Sequence, residues 1–501
     1  MEIFAEGFAL FAQWPVLVAM VIGTVLGMVV GAIPGIGPAQ LIPISIPVTF
    51  TMAPVPALMF LLGEFIGGIY AGSISAILVN SPGTPASIAT TFDGYPLARA
   101  GKAGKALKMA LYGSVIGDLI STAILIVVAE RIARIALKFG PAEIAAVIVF
   151  SLTLVAAVAG RSLVLGFVSA IAGGLLASVG MDSITGTTRF AFGVVELLSG
   201  IGLLPLIMGL FAVSEILVLA EHRITGQTGE IRDLRDETAE NRRLTLAEVW
   251  SVRGALTRGA ATGIGVGSLP GLGASVAAIL AYGWARRSSK NPEAFGTGCL
   301  EGLAAPECAN NAETSGALLP FLTLGIPGSA LIAMLGGAFL LHGLEPGPLL
   351  FEEHGDKIYA LYCGLIAINL VMLVVGLAGM NLFHYVVKVP TDILFSIVLI
   401  LCVSGVFAVS ASLHEVSVML IFGVVGYGMR KLDIPIPPLL IAFLLVPMLE
   451  HSFRQALLIS GGSLMIFITH PISAGFLLAT VAWLVFRAIR NRRRPDAQAD
   501  E

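Results

Sequence analysis

The sequence predicts an all-α polytopic membrane protein with two inverted structural repeats, re-entrant hairpins, broken helices and roughly 10–13 membrane segments. Three observations lead there: an apolar composition, apolar runs of spanning length, and motifs that recur about half a chain apart. Of 501 residues, 56% are hydrophobic and only 12% charged, with a mean hydropathy of +0.93. A soluble domain carries roughly 25% charged residues, so the solvent is a bilayer. Apolar runs extend from residue 15 to residue 489, and they lack the period-2 alternation of a transmembrane barrel. Helices are therefore expected. A net charge of −3 gives no electrostatic footprint for nucleic acid. Cys299, Cys308, Cys363 and Cys402 follow no metal or redox spacing and read as packing residues.

The duplication appears as pairs of motifs in the same order. Gly31-Ala-Ile-Pro34-Gly35-Ile-Gly37 returns as Gly267-Ser-Leu-Pro270-Gly271-Leu-Gly273, an offset of 236 residues. Pro82-Gly83-Thr84 returns as Pro327-Gly328-Ser329, offset 245, and Leu111-Tyr112 as Leu361-Tyr362, offset 250. Lys138 and Lys388, each opening a Pro-containing segment, are also 250 apart. The chain then divides into a first membrane repeat (1–220), a polar cytoplasmic connector (221–253), a second, inverted repeat (254–455), and an extra membrane segment with a basic tail (456–501). The connector holds the charge run 232–237 and Arg242-Arg243.

Inversion follows from the positive residues, which concentrate in cytoplasmic loops. Arg99, Lys102, Lys105 and Lys108 make one loop of the first half basic, whereas its counterpart, Glu352-Glu353-His354-Gly355-Asp356, is acidic. No positive charge flanks Pro34, but Arg253, Arg258, Arg286, Arg287 and Lys290 flank Pro270. Matching loops thus fall on opposite sides. The basic tail from Arg490 to Arg494 belongs inside, which requires one more crossing near 471–489.

Each Pro-Gly pair interrupts a membrane helix, because proline removes a donor and glycine loosens the backbone. Irregular backbone at that depth must be covered by protein or line a watery cavity. Matched breaks in two halves point to a midplane transport site. Partial positive charge at a half-helix N-terminus suits a carboxylate. Gly35, Gly37, Ser81, Gly83, Thr84, Gly271, Gly273, Ser275, Gly328 and Ser329 are the candidate substrate-binding residues. Freed carbonyls and side-chain oxygens suit a sodium ion, and Asn80, Asn310, Asn311 and Glu313 are the candidates for the coupling ion.

The last three lie in Pro306–Ser315, the most polar patch near any span. Intramembrane ionisable groups are costly and often functional, so Glu307 joins the candidates; the alternative is that the patch caps helices at the interface. Glu64 and Asp118 are acids within apolar spans, open to a proton or cation route or to a paired structural role. The seven histidines show no ligand spacing, Arg161 and Arg189 read as snorkelling residues, and no Ser-His-Asp, phosphate-loop or HExxH pattern appears.

Gly-Ala-Ile-Pro-Gly-Ile-Gly-Pro (31–38), Asn-Ser-Pro-Gly-Thr-Pro (80–85), Asp93-Gly-Tyr-Pro96 and Gly-Ile-Pro-Gly-Ser (325–329) resemble the TctA family, over essentially the whole chain. That family is the large membrane subunit of bacterial tripartite tricarboxylate transporters. The resemblance implies a small TctB-like membrane subunit and a periplasmic TctC-like solute-binding protein as partners. It also implies secondary uptake of organic carboxylates, coupled to Na+ or H+, across the bacterial inner membrane; the basic tail places the C-terminus in the cytoplasm, and the lack of a catalytic constellation argues against an enzyme. The rival readings are an anion channel, a carboxylate symporter working without a binding protein, and an intramembrane enzyme, for which Glu307 and Glu313 lack a nucleophile.

Overall fold

The computed structural model describes residues 2–158, 162–182, 184–222, 238–386 and 391–492. The charge run 232–237, Arg161, the Lys388–Pro390 member of one repeat pair and the end of the basic tail lie outside the described residues. The chain is overwhelmingly helical, as a bilayer demands: a spanning helix satisfies its own backbone where no water is available. Among the described residues, seven helices are long and apolar enough to cross a membrane, and four further apolar helices are shorter.

In chain order the first half contains α1 (Glu2–Phe11), α2 (Trp14–Gly31), α3 (Pro38–Thr49), α4 (Pro54–Val79), α5 (Ile88–Arg99) and α6 (Ala103–Ala136). Then come α7 (Pro141–Val158), α8 (Leu163–Ala177), a hairpin of β1 (Gly180–Met181) with β2 (Thr188–Arg189), and α9 (Leu203–Glu221). A short α10 (Leu246–Ser251) ends the connector. The second half contains α11 (Arg253–Gly267), α12 (Gly273–Ser288), α13 (Leu300–Leu324), α14 (Ala330–Leu341) and α15 (Gly355–Ala378). It closes with α16 (Thr391–Ser410), α17 (Leu413–Lys431), α18 (Ile436–Ile459) and α19 (Pro471–Arg492). The order α2–break–α3–α4–break–α5–α6 recurs as α11–break–α12–α13–break–α14–α15.

Contacts group the chain along lines other than the two sequence halves. One compact unit joins Met1–Ala133 to Gly202–Gly428; the other joins Arg134–Ile201 to Met429–Glu501. The first unit holds all four Pro-Gly breaks. Its core is two helix pairs of the same design, α2 on α4 and α11 on α13. Gly23, Gly27 and Gly31 lie so close to α4 that an added Cβ would stand 2.0, 2.4 and 2.7 Å from the carbonyls of Phe60, Glu64 and Gly68. Gly259, Gly263 and Gly267 meet the carbonyls of Ala305, Ala309 and Glu313 at 2.5, 2.4 and 2.7 Å. The glycines repeat at an offset of 236 and their partners at 245, the same two offsets as the breaks. Small residues drive helix association in lipid by letting backbones approach.

The connector meets this unit through Lys105 Nζ, 2.7 Å from Glu248 Oε1 on α10. The ammonium, together with the Thr245 N–H, pushes the Glu248 carboxyl down to about 2. A depressed carboxyl contributes stability above its unfolded value of 4.5 and loses it as pH falls toward 2. The pair is solvent-screened, so a Lys105→Ala/Glu248→Ala double-mutant cycle in thermal unfolding will give under about 1 kcal/mol at pH 7, vanishing at acid pH.

The second unit packs α7 and α8 on α18, and α19 on α7. Its hairpin is fastened by charge: Arg189 binds both Asp182 and Glu450, and Arg454 reaches Asp182 at 2.9 Å. The Ile184 N–H, followed by the Arg454 guanidinium and Thr185, holds the Asp182 carboxyl well below the usual range. Arg189 therefore has a specific ion-pair role rather than snorkelling. A pocket of about 300 Å³ lies beside it, lined in part by Ser178, Ser199 and His451.

Candidate functional site

Each break joins the C-terminal end of one helix to the N-terminal end of the next. At the first break of each half, Gly35 (φ +80°) and Gly271 (φ +84°) take the same left-handed turn, which only glycine adopts without strain. At the second break, Asn80 (φ 56°) ends α4 as Gly325 (φ 72°) ends α13. Within each half the two breaks touch. A Cβ on Gly37 would lie 3.1 Å from the Gly83 carbonyl and 3.3 Å from the Thr84 methyl. In the second half the Gly271 N–H donates to the Gly328 carbonyl at 2.8 Å. The approach is tight at Gly83 and Gly328: an added Cβ would meet the Gly31 carbonyl at 2.8 Å in one case and the Gly267 carbonyl at 2.5 Å in the other.

The halves also interlock. The turn Pro85–Ser87 that leads into α5 contacts α12 and α13, and α14 contacts α3 and α4. In each half two helices therefore begin at touching breaks: α3 and α5 with its leading turn in the first, α12 and α14 in the second. Their first-turn N–H groups are donors without helical partners, and their dipoles add positive potential. At the far ends the interlock is matched. His342 at the end of α14 lies 3.3 Å from Thr49 at the end of α3, and Asp93 on α5 takes N–H donors from the loop between α12 and α13.

The polar patch of the second half does not cap a helix. It occupies the middle of the 25-residue α13, in which every residue from Gly302 to Thr323 is buried. Along it, Asn310 and Asn311 have both side-chain polar atoms without a protein partner; so do one oxygen of Glu313 and the hydroxyl of Ser329. Glu313 faces Ser329 across the second break. Buried polar atoms are satisfied in the great majority of cases, so a cluster of orphaned ones is a place for an unbound ion, water or substrate. The equivalent first-half positions at the 245 offset are Phe65, Ile66 and Gly68. The cluster is not duplicated.

Asp118, Glu64 and Glu307 are also fully buried in this unit, as is Asp93. Asp118 on α6 accepts from Thr314 (2.7 Å) and Ser315 (2.8 Å) on α13 and from the Asn369 amide (2.6 Å) on α15. Glu64 accepts from Ser45 of α3 at 2.7 Å. Glu307 accepts from Thr90 of α5 and from Ser114 of α6, the latter at 3.1 Å.

A family model described as "Tripartite tricarboxylate transporter TctA family" matches residues 17–441. The chain belongs to the TctA family. An "Uncharacterized 52.8 kDa protein in TAR-I ttuC' 3'region" of Agrobacterium vitis is 36% identical over 480 residues, spanning 95% of this chain and 94% of that protein. An "Uncharacterized protein in TAR-II ttuC' 3'region" of the same organism is 34% identical over 231 residues, covering 46% of this chain and 96% of that protein. No solved structure matches.

In this TctA chain the predicted substrate-binding residues cluster at the breaks. Gly35, Gly37, Gly83 and Thr84 gather in one half, and Gly271, Gly273, Gly328 and Ser329 in the other. Ser81 and Ser275 are half-buried beside them. The ion candidates separate: Asn310, Asn311 and Glu313 are buried, whereas Asn80 is exposed. Sequence reasoning missed the glycine ladders, although their four-residue spacing is legible. It also missed Ser45, Thr90, Ser114 and Asn369, which carry no local signal.

Proposed function

We propose that this TctA chain is the permease subunit of a secondary, cation-coupled importer of organic carboxylates of the tricarboxylate and dicarboxylate class. A periplasmic TctC-like protein delivers the substrate, and a small TctB-like subunit completes the membrane complex. The chain lies in the bacterial inner membrane with its C-terminus in the cytoplasm. The two repeats are inverted and their first breaks are tips of re-entrant hairpins. Supporting this, the α12–α13 loop, flanked by Arg286, Arg287 and Lys290, adjoins α5, which ends at Arg99. The uncharged α3–α4 loop adjoins the end of α14, which precedes acidic Glu352 and Glu353.

The observation that carries the reading is the pairing of helix N-termini at the touching breaks of each half, with the orphaned polar cluster of α13 beside the second-half pair. N–H groups at Gly35, Gly273 and Gly328, with hydroxyls of Ser81, Thr84, Ser275 and Ser329, hold carboxylate oxygens, while Gly37, Gly83 and Gly271, whose own N–H groups donate to Gln40, Gly72 and Gly328, shape the turns that line the substrate. Oxygens of Asn310, Asn311 and Glu313, with Asn80 at the end of α4, receive a coupling Na+ or H+. Motion of the break-bearing helices alternates access.

The test is thermal unfolding of the purified chain with a panel of mono-, di- and tricarboxylates, with and without Na+, beside uptake by cells carrying the whole transporter. A subset of carboxylates will raise Tm; ligand at 100 times Kd adds about 2.7 kcal/mol. The same subset will be accumulated against its gradient, which a channel cannot do. Absence of both stabilisation and uptake across the panel would reject the reading.

A further inference from the structure

We propose that Glu307 carries a coupling proton, and that its protonation latches α5 onto α13. This rests on the cation-coupled reading above and narrows the cation, at this residue, to H+. Glu307 is buried in the middle of α13, where it ties the helix after the first-half break to the second half of the chain. Thr90 of α5 bonds one carboxyl oxygen and Ser114 of α6 bonds the other. Ser73 and Tyr70 of α4 face the same carboxyl, and Gly113 of α6 packs on its Cβ. From α11, Gly259 packs on the neighbouring Cys308. The ionisable groups facing Glu307 are thus the Tyr70 phenol and the Cys308 thiol, both neutral in solution at pH 7. Among the described residues it enters no ion pair.

An ionised carboxylate in such a setting is strongly disfavoured and is ordinarily neutralised by a counter-charge or a proton. The partners select the proton. A hydroxyl donates to a carboxylate or accepts from a carboxylic acid, so Glu307 can change state without any partner turning over. Asp118 differs, because the Asn369 amide presents a fixed donor to it. The closed arrangement, dry and without a counter-charge, favours the acid; the ionised form is favoured when α5 moves off and water enters. Each transfer breaks one O–H bond and forms another: hydronium on one side gives its proton to the carboxylate and becomes water as α5 closes, and water on the other side takes the proton as hydronium when α5 opens toward it. Thr90 lies four residues beyond Ala86 of the turn that ends the Asn80–Thr84 break, so the latch acts on the helix that this break allows to hinge.

The experiment is hydrogen–deuterium exchange of the full-length chain in lipid nanodiscs over a pH series, corrected for intrinsic exchange, without substrate. In the wild-type protein α5 amides are expected to lose protection at least tenfold as pH rises through the titration of Glu307. In Glu307→Gln, a permanently neutral stand-in, α5 stays protected across the series, and one protonated-carboxyl band disappears from the infrared spectrum. Thr90→Val, which keeps the charge and removes the hydroxyl, lowers α5 protection even at acid pH. Wild-type α5 protection that is flat with pH, or pH dependence that persists in Glu307→Gln, overturns the proposal. If Glu307→Gln does not fold, Thr90→Val decides: protection equal to wild type at acid pH overturns it. The carboxylate reading is scored separately by the ligand panel, so a flat α5 profile with intact carboxylate stabilisation removes only the proton latch.

Discussion

Gly83→Leu and Gly328→Leu will each abolish carboxylate uptake while the chain still inserts into the membrane. At both positions the backbone of one break rests on the helix that ends at the other. A Cβ on Gly328 would stand 2.5 Å from the Gly267 carbonyl and 2.8 Å from the Ala317 Cα; on Gly83 the distances are 2.8 Å to the Gly31 carbonyl and 2.8 Å to the Gly72 Cα. These obstacles are backbone, which cannot rotate aside. Overpacking by a methyl group costs about 1–3 kcal/mol, and leucine must push the two breaks apart. Alanine at either site should therefore slow uptake and leucine eliminate it. Gly265→Ala and Gly428→Ala are the controls, since nothing lies within 4 Å of a Cβ there; both should transport normally. The measurement is initial uptake rate normalised to membrane-inserted protein. Normal transport by both leucine variants would remove the breaks from the mechanism.

Asp93→Ala will produce the largest loss of stability among single polar substitutions in the first unit. Its carboxylate accepts from the backbone N–H of Gly296 (3.0 Å), Gly298 (2.8 Å) and Cys299 (2.8 Å) and from the Tyr282 hydroxyl (3.0 Å). Gly296 and Gly298 hold left-handed φ values of +86° and +103°, curling the loop so that its N–H groups converge on one acid. Hydrogen bonds to a charged group contribute about 1.5–3 kcal/mol each, and stranded donors add their desolvation cost. Because such bonds are not additive, a net loss of about 3–5 kcal/mol is expected, read as a fall in Tm in detergent. Asp93→Asn keeps one acceptor oxygen and should cost about half as much. An unchanged Tm for Asp93→Ala would show that this loop does not hold α5 to the second half.

The motif around Asp93 was visible in the sequence, but its role was not, because all four donors come from residues 189–206 positions away. The same holds for the other acids. Glu64 and Asp118 stand out as charges in apolar runs, which alone leaves a proton or cation route and a paired structural role both open, and Glu307, in the polar patch, is open to ion or substrate contact or to capping a helix. Asp118, saturated by Thr314, Ser315 and Asn369, is a packing joint between α6, α13 and α15. Asn80 and Asn310 looked alike as polar residues near breaks. They differ in burial, since one ends a helix and the other sits in the middle of one.

The sequence by itself determined the solvent, the secondary structure and the positions of the breaks. Hydrophobic run length, proline and glycine act locally, and duplication shows itself as a constant offset. The glycine ladders were also within its reach, since their spacing is that of one helical face. Only the tertiary structure decided which breaks adjoin, that α5 docks on α13 while α14 docks on α3, and which polar atoms of α13 remain without partners. Those are pairings between segments some 200 residues apart. In a chain whose surface and core are both apolar, hydrophobic pattern does not distinguish one helix partner from another. The choice falls to small-residue fit and a handful of buried hydrogen bonds.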